Sequence, residues 1–251
     1  MLLEGKNAVI YGAGGGIGSA VARRFAQEGA TVHLAGRTLG RLDEVAEDIR
    51  SGGGRAETAA VDALDGTAVD EHADAVAASA GSIDISFNLI SVGDVQGTPL
   101  VEMSVDDFEQ PIMTATRTMF LTSCAAARHM IRQGSGVILT FGGTGDPLRD
   151  YYIGGFQIAL TAVDQFRRQL AVELGPHGIR VVTLLTGGVP ETIPADFEGR
   201  DAIEKGIVKE TIFNRAATLD DVGGVAAFLA SDHARTITGT DVNISCGAII
   251  D

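Results

Sequence analysis

The sequence is poor in cysteine and contains no long apolar run. Its two cysteines, Cys124 and Cys246, lie far apart, so a disulfide framework is not expected and a reducing cytoplasm is the expected location. No apolar run reaches the roughly 18 residues that a membrane-spanning helix needs, and the N-terminus lacks the basic and apolar stretches of a signal peptide. These absences argue against a membrane protein and against secretion.

Positive charge is also scarce. Lys and Arg number 19 against 33 Asp and Glu, which gives a net charge of −14 at pH 7. Because nucleic acids and anionic membranes are themselves negative, this balance argues against either as a partner. The five histidines are scattered without ligand spacing, so no metal site is predicted.

Short β-rich runs alternate with helical patterns along the whole chain. The runs interpreted as strands are NAVIYG, TVHLAG, RAETAAVD, IDISFNLI, GVILTFGG, IRVVTLLT and TDVNIS. Strands separated by helices in this way predict an α/β fold with a doubly wound, seven-stranded parallel sheet. Neither an internal repeat nor a Pro- or Ser-rich linker interrupts the series, so residues 1–251 are expected to form a single domain.

The longest excursion between predicted strands is residues 189–217. In doubly wound folds, ligands bind outside the carboxyl ends of the strands, and a long segment there often covers them. We therefore expect residues 189–217 to cover a substrate. The alternative is a surface loop that carries a helix.

A glycine-rich turn, YGAGGGIG at residues 11–18, lies directly between the first predicted strand and the first predicted helix. Gly12, Gly16 and Gly18 permit a tight turn and let a pyrophosphate approach the backbone. At a helix N-terminus, free amide groups and the helix dipole favour such an anion. The stretch predicts a dinucleotide site, against the alternative of a tight turn without a ligand.

The second predicted strand ends in Gly36 and Arg37. A carboxylate at this point would hold a ribose 2′-hydroxyl, whereas an arginine can pair with a 2′-phosphate. Arg37, assisted by Arg41, therefore favours NADP(H) over NAD(H). The alternative is that Arg37 is a solvated surface residue.

Several motifs in order resemble the short-chain dehydrogenase/reductase family. The stretches that carry the resemblance are GAGGGIG, Val61-Asp62, Asn88, ELGPHGIRV at 173–181 and DDVGGVAAFLASDHARTITG at 220–239. The resemblance runs from about Gly5 to Gly247 and implies a Rossmann-type fold. It also implies a small-molecule substrate and association into a homodimer or homotetramer through the long helices.

The resemblance also implies which residues bind the cofactor. Gly12, Gly16, Ile17 and Gly18 would line the pyrophosphate. Asp62 would contact the adenine edge, and Thr192 would contact the nicotinamide side. Asn88 would also bind the cofactor, although it is all that is kept of the family's Asn-Asn-Ala-Gly motif after the fourth strand, so this loop departs from the pattern.

The family's catalytic pattern is a Tyr, a Lys four residues later, a Ser thirteen residues before the Tyr, and an Asn on the preceding helix. Counting back from Glu173 in ELGPHGIRV maps these positions, in that order, onto Phe156, Leu160, Gly143 and Ala115. All four lack an ionisable or hydroxyl group. The chain's three lysines, Lys6, Lys205 and Lys209, all lie far from this helix in sequence. The resemblance therefore implies an atypical active site.

Other polar groups follow the fifth predicted strand: Thr144, Asp146, Arg149, Asp150, Tyr151 and Tyr152. Tyr151 or Tyr152 is the predicted proton donor, and the alternative is that both are core or interface aromatics. Substrates with an activated C=C or C=N bond need less help from an acid than a plain ketone does, so they are favoured over carbonyl compounds.

Three functions remain open from the sequence. The first is an NADP(H)-dependent oxidoreductase with an atypical proton route. The second is a non-redox cyclase, isomerase or dehydratase that uses the same cleft, because Phe156, Leu160, Gly143 and Ala115 would make it apolar. The third is a catalytically silent nucleotide-binding subunit.

Overall fold

Seven parallel strands form one sheet in the structure, a computed structural model that describes residues 1–146 and 151–250. The strands are β1 (Asn7–Tyr11), β2 (Thr31–Gly36), β3 (Arg55–Ala60), β4 (Ile85–Asn88), β5 (Gly136–Gly142), β6 (Ile179–Leu185) and β7 (Thr240–Asn243). Their order across the sheet is β3-β2-β1-β4-β5-β6-β7. The prediction of a single-domain, doubly wound parallel sheet is confirmed.

Helices cover both faces of the sheet. They are α1 (Gly16–Gln27), α2 (Leu39–Ser51), α3 (Gly66–Ala80), α4 (Val105–Gln133), α5 (Phe156–Leu174), α6 (Arg200–Lys209) and α7 (Leu219–Ala230). Successive strand residues point to opposite faces, so Ile10 packs into the core beneath α1, α2 and α7, whereas Val9 packs into the core beneath α3, α4 and α5. Burial on both faces explains why the central strands read as continuous apolar runs.

The strand order reverses at β1, which pairs with β2 on one side and with β4 on the other. Backbone hydrogen bonds extend the strands here: Gly12 N donates to Ala35 O at 2.9 Å, and Leu89 N donates to Tyr11 O at 2.9 Å. The segments that follow β1 and β4 must then diverge to opposite faces, which opens a crevice at the carboxyl ends of the strands.

A buried ionic group joins α5 to β7. Arg167 is 1% exposed, and its Nη2 lies 2.5 Å from Asp164 Oδ1 and 3.2 Å from Asp241 Oδ1. Burial raises the pKa of Asp241 above its ordinary value, and the Arg167 charge opposes that effect. Below this group, the hydroxyls of Thr140 and Thr183 lie 2.5 Å apart between β5 and β6. The helix that begins at Phe156 is therefore fixed to the sheet by charge as well as by apolar packing.

Candidate functional site

The crevice at the switch point holds a cleft with a volume of about 380 Å³, which is large enough for a small organic ligand or part of a dinucleotide. Its walls come from the turn after β1, the ends of β2 and β3, the segment after β4 and one face of α4. The polar and glycine residues on these walls are Gly12, Gly14, Gly15, Gly36, Arg37, Thr38, Arg41, Asp62, Ser91, Gly93, Gln110, Thr114 and Thr118.

The turn after β1 tolerates only glycine at two positions. Gly12 has a φ of 79°, and a Cβ there would lie 2.7 Å from the carbonyl carbon of Leu89. A Cβ at Gly18 would lie 2.8 Å from the Cα of Ala13. The first position lets the backbone pass the segment after β4, and the second lets α1 pack directly on the turn.

The N-terminus of α1 faces the cleft without a side-chain cap. Its N-cap is Gly15, which has no side-chain oxygen to accept hydrogen bonds from the first amide groups of the helix. Gly14 and Gly15 lie on the cleft wall and were not predicted as site residues. Gly16 is exposed and adjoins Thr192, whereas Ile17 packs against the apolar core. The cleft therefore presents free backbone donors suited to an anion.

A basic corner lies at the end of β2. Arg37 and Arg41 are both exposed, and both line the cleft. Within residues 1–146 and 151–250 neither guanidinium pairs with a carboxylate. Thr38 is the N-cap of α2, but its hydroxyl makes no capping hydrogen bond. Two cations, a hydroxyl and a helix N-terminus thus converge on one end of the cleft.

Asp62 follows β3 and Asn88 ends β4, two strands that β2 and β1 separate in the sheet, and the two residues have different surroundings. Asp62 is exposed on the cleft wall, where Oδ1 accepts a hydrogen bond from Leu64 N at 3.0 Å. Asn88 is buried, and its Nδ2 donates to Thr122 Oγ1 at 3.1 Å while its Oδ1 accepts from Ile90 N at 3.1 Å. Asn88 therefore holds the segment after β4 against α4 and lies behind the wall.

One face of α4 forms a polar wall that the sequence analysis missed. Gln110, Thr114 and Thr118 recur at four-residue spacing and all line the cleft. Gln110 Nε2 donates to Thr114 Oγ1 at 3.1 Å and to Val92 O at 3.4 Å. The four-residue spacing was the only signal in the sequence that could have identified these residues.

Tyr11 closes the floor of the cleft beneath this wall. Its hydroxyl lies 3.5 Å from His72 Nδ1, and burial raises the pKa of Tyr11 above its ordinary value. Burial, with the nearby His33, lowers the pKa of His72 to about 4. Both side chains are therefore neutral at pH 7, and this floor carries no charge.

The start of α5 forms an apolar wall beside β5 and α4. A Cβ at Gly143 would lie 3.6 Å from Leu160 Cδ1, so the backbone after β5 packs on the Leu160 side chain. Ala115 of α4 packs with Ala159 of α5 in a small apolar cluster. Phe156 is the first residue of α5, one turn before Leu160. The fold thus brings Gly143 and Leu160 together and places Ala115 of α4 against α5.

The two predicted proton donors, Tyr151 and Tyr152, lie in the loop between β5 and α5. Tyr151 is 47% exposed, and its hydroxyl lies 3.3 Å from the position that a Cβ of Gly206 would take. Tyr152 has a φ of 47°, is 52% exposed, and its carbonyl accepts from Gly97 N at 3.0 Å. Tyr151 therefore faces α6, and Tyr152 shapes the loop through its backbone.

The remaining polar candidates on this loop are Thr144, Asp146, Arg149 and Asp150. Thr144 Oγ1 accepts from Asp146 N at 3.3 Å, which folds the loop back on itself. Arg149 and Asp150 lie outside the described residues.

The segment 189–217 contains a 3₁₀ turn, Pro190–Thr192, and helix α6, which has no buried residue. The Glu191 carboxylate accepts from Leu219 N at 2.5 Å, which ties the turn to the start of α7. A Cβ at Gly16 would lie 3.6 Å from the Thr192 methyl group, and one at Gly188 would lie 3.1 Å from Ile207 Cδ1. The segment therefore touches both the start of α1 and the loop after β6.

Comparison with known proteins gives the family. The sequence family described as Enoyl-(Acyl carrier protein) reductase matches residues 12–248. The chain belongs to the short-chain dehydrogenase/reductase family. Meso-2,3-butanediol dehydrogenase from Serratia marcescens is 33% identical over 259 residues, which cover 99% of this chain and 96% of the relative. Gluconate 5-dehydrogenase from Gluconobacter oxydans is 29% identical over 252 residues, which cover 99% and 96% respectively.

Solved structures agree with this short-chain dehydrogenase/reductase fold. A short-chain dehydrogenase from Burkholderia cenocepacia, crystallised in complex with NADP, superposes with a TM-score of 0.86. It is 29% identical and covers 99% of both chains. Since the curated relatives are named dehydrogenases, this short-chain dehydrogenase/reductase is of the oxidoreductase type.

Two further properties of this short-chain dehydrogenase/reductase concern metals and membranes. In the part of the chain that the structure describes, His, Cys, Asp and Glu form no group of three or more that could hold a metal ion. Over the same residues, every helix is too short or too polar to cross a bilayer.

Proposed function

We propose that this protein is an NADP(H)-dependent oxidoreductase that transfers hydride to or from a small organic substrate. The observation that carries the proposal is the cleft itself, where a glycine-rich turn and an uncapped helix N-terminus adjoin two exposed arginines. A dinucleotide that carries an additional phosphate matches both features in shape and in charge.

The residues around the turn suit a pyrophosphate. Gly12, Gly14 and Gly15 expose backbone on the wall, and Gly16 begins the helix whose amide groups are free. Gly18 supports the turn from below. Asp62 would adjoin the adenine edge, and Thr192, beside Gly16, would reach the nicotinamide side. When bound, the dinucleotide supplies or accepts the hydride, and this chain orients it and controls the proton.

The basic corner favours NADP(H) over NAD(H). Arg37 and Arg41 can pair with a 2′-phosphate, and the Thr38 hydroxyl and the α2 N-terminus add donors at the same place. Gly36 ends β2 without a carboxylate that would hold a free 2′-hydroxyl. The NADP complex of the Burkholderia relative supports the same choice.

The reacting end of the site has an atypical proton route. The positions that the family resemblance assigns to Asn, Ser, Tyr and Lys hold Ala115, Gly143, Phe156 and Leu160, which cannot move a proton. A substrate with an activated C=C or C=N bond depends less on an acid, so these classes are preferred over plain carbonyl compounds. The Tyr151 hydroxyl adjoins α6, within the segment 189–217 that would cover the substrate, and Tyr152 is its alternative.

Turnover of NADPH with a panel of enones, imines and ketones tests this proposal. We expect oxidation of NADPH, followed by absorbance at the nicotinamide band, with enones or imines ahead of ketones. Tyr151→Phe should lower kcat with little change in the affinity for NADPH. Tyr152→Phe, the same substitution at the alternative donor, is compared with it. A protein that binds NADPH but turns over no member of the panel would contradict the redox assignment.

A non-redox function in the same cleft is the second candidate. The observation that favours it is the apolar contact of Leu160 with Gly143, with Phe156 one turn away, because apolar side chains at these positions could shape an apolar substrate for cyclisation, isomerisation or dehydration. Product formation from such a substrate without any change in the ratio of NADPH to NADP⁺ would support this candidate over the first.

Association into a homodimer or homotetramer is part of the proposal. Large apolar side chains are exposed on the two long helices, namely Met113, Phe120, Ile131, Ile158 and Val172. Burying them between copies would remove them from water. Sedimentation of the purified chain tests this point, and activity of that homo-oligomer by itself would exclude a catalytically silent subunit.

A further inference from the structure

The polar wall of α4 contains a hydroxyl whose hydrogen has no acceptor among the described residues. Thr114 is 9% exposed, lines the cleft, and makes one hydrogen bond there, in which its Oγ1 accepts from Gln110 Nε2. The orientation of the Gln110 amide is fixed because the same nitrogen also donates to Val92 O, a carbonyl that can only accept. The hydroxyl hydrogen of Thr114 is therefore free to donate elsewhere.

The other threonines of α4 use their hydroxyl hydrogens within the helix. Thr116 donates to Ile112 O at 2.7 Å, Thr118 to Ala115 O at 3.5 Å and Thr122 to Thr118 O at 2.8 Å. Bonding of this kind is the usual way in which a threonine satisfies its donor in a helix interior. Thr114 differs from its neighbours in this respect, and it is also a residue that faces the cleft.

The same cleft has the basic corner and Asp62 on its other walls. Arg37 and Arg41 occupy one end, Asp62 and Leu64 follow β3, and Thr114 and Gln110 lie on α4. If the 2′-phosphate occupies the basic corner, the adenosine attached to it must fill the space between the segment after β3 and α4. An adenosine offers several acceptors, including the ring nitrogens of its base.

We propose that Thr114, oriented by Gln110, donates a hydrogen bond to an acceptor atom of the adenosine half of the bound dinucleotide. This inference rests on the proposed function. It makes Thr114 a residue that contributes affinity for the adenosine half of the cofactor, with no part in hydride or proton transfer. The free donor of a nearly buried hydroxyl is then satisfied only when the cofactor is bound.

Binding of 2′,5′-ADP and of NADPH to the nucleotide-stripped protein tests the inference, with titration calorimetry as the readout. Thr114→Val keeps the shape of the side chain and removes the hydroxyl, so it should weaken both ligands by the same factor, about three- to tenfold. Thr114→Ser should restore most of the affinity. Thr116→Val, on the same helix with its hydroxyl bonded to Ile112 O and away from the cleft wall, should leave both affinities unchanged.

The outcomes separate this inference from the proposed function. Unchanged affinity in Thr114→Val, or a loss for NADPH without a loss for 2′,5′-ADP, would overturn the assignment of Thr114 to the adenosine half while leaving the dinucleotide site intact. A wild-type protein that binds neither ligand would overturn the proposed function, and this inference with it. Circular dichroism melting of each variant checks that the fold is retained.

Discussion

Replacing the two arginines of the basic corner should change the choice of cofactor by a calculable amount. A hydrogen bond to a charged group contributes about 1.5 to 3 kcal/mol, and the exposure of Arg37 and Arg41 places each contact near the lower limit. About 1.5 kcal/mol corresponds to roughly a tenfold change in Kd. Arg37→Gln or Arg41→Gln should therefore weaken NADPH about tenfold, and the double variant about a hundredfold if the effects add.

The affinity for NADH supplies an internal reference for this experiment. NADH lacks the 2′-phosphate, so its Kd should change little in any of the three variants. Arg23→Gln is the matched control, because Arg23 pairs with Asp48 at 2.8 Å, does not line the cleft, and loses the same charge. Fluorescence titration at two salt concentrations should also show a weaker salt dependence for NADPH in the double variant. Equal losses for NADPH and NADH, or no loss in either, would refute the assignment of the basic corner.

Three further changes test other parts of the structure. Gly12→Ala should lower the free energy of unfolding by about 3 kcal/mol, because φ is 79° and the new Cβ would meet the backbone after β4. Gly40→Ala, in α2 with nothing within 4 Å of the new Cβ, should be neutral or raise the free energy of unfolding by up to about 1 kcal/mol. Urea denaturation compares them, and equal effects would be inconsistent with a constrained turn. Phe156→Tyr should raise turnover of a ketone at least about tenfold near neutral pH without changing the Kd of NADPH, because the restored phenol, with no lysine to lower its pKa, stays protonated and can donate to the substrate oxygen. The gain should disappear as pH rises through the pKa of the phenol. Stopped-flow absorbance measures it, and no gain at any pH would argue against this position as the site of proton transfer. Arg167→Met should destabilise the fold by about 2 kcal/mol, a value kept low because the Asp241 side chain is 32% exposed. The pKa of Asp241 is raised in the fold, so ionisation of Asp241 costs stability as pH rises through that pKa, and the loss should be greater at pH 8 than at pH 5. A loss independent of pH would rule out this ionic role.

The sheet could be predicted from the sequence because its signals are local. Each strand is a short apolar run, each is followed by a helical pattern, and the order of elements leaves few topologies. The turn at residues 11–18 was equally clear, since a glycine-rich stretch between a strand and a helix is a local signal, although the backbone that crowds Gly12 belongs to Leu89 after β4. The residues of the basic corner follow from the end of β2 in the same way.

The residues whose surroundings could not be predicted from the sequence depend on contacts between distant segments. Asn88 lies behind the cleft wall because Thr122, 34 residues away, accepts its amide hydrogen. Thr114 lies on the wall because α4 turns this one face toward the segment after β4, and the four-residue spacing of polar residues along a 29-residue helix does not by itself say which face meets the cleft. The direction of Tyr151 is likewise set by α6, a helix whose placement no pattern near residue 151 encodes.

Binding of NADPH and NADH to the protein stripped of nucleotide tests the central claim most directly. Titration calorimetry should give one site per chain for NADPH, a Kd in the micromolar range, and a Kd for NADH at least about tenfold higher. Absence of binding by either nucleotide would contradict the account, because it would mean that the turn after β1 and the basic corner do not form a dinucleotide site.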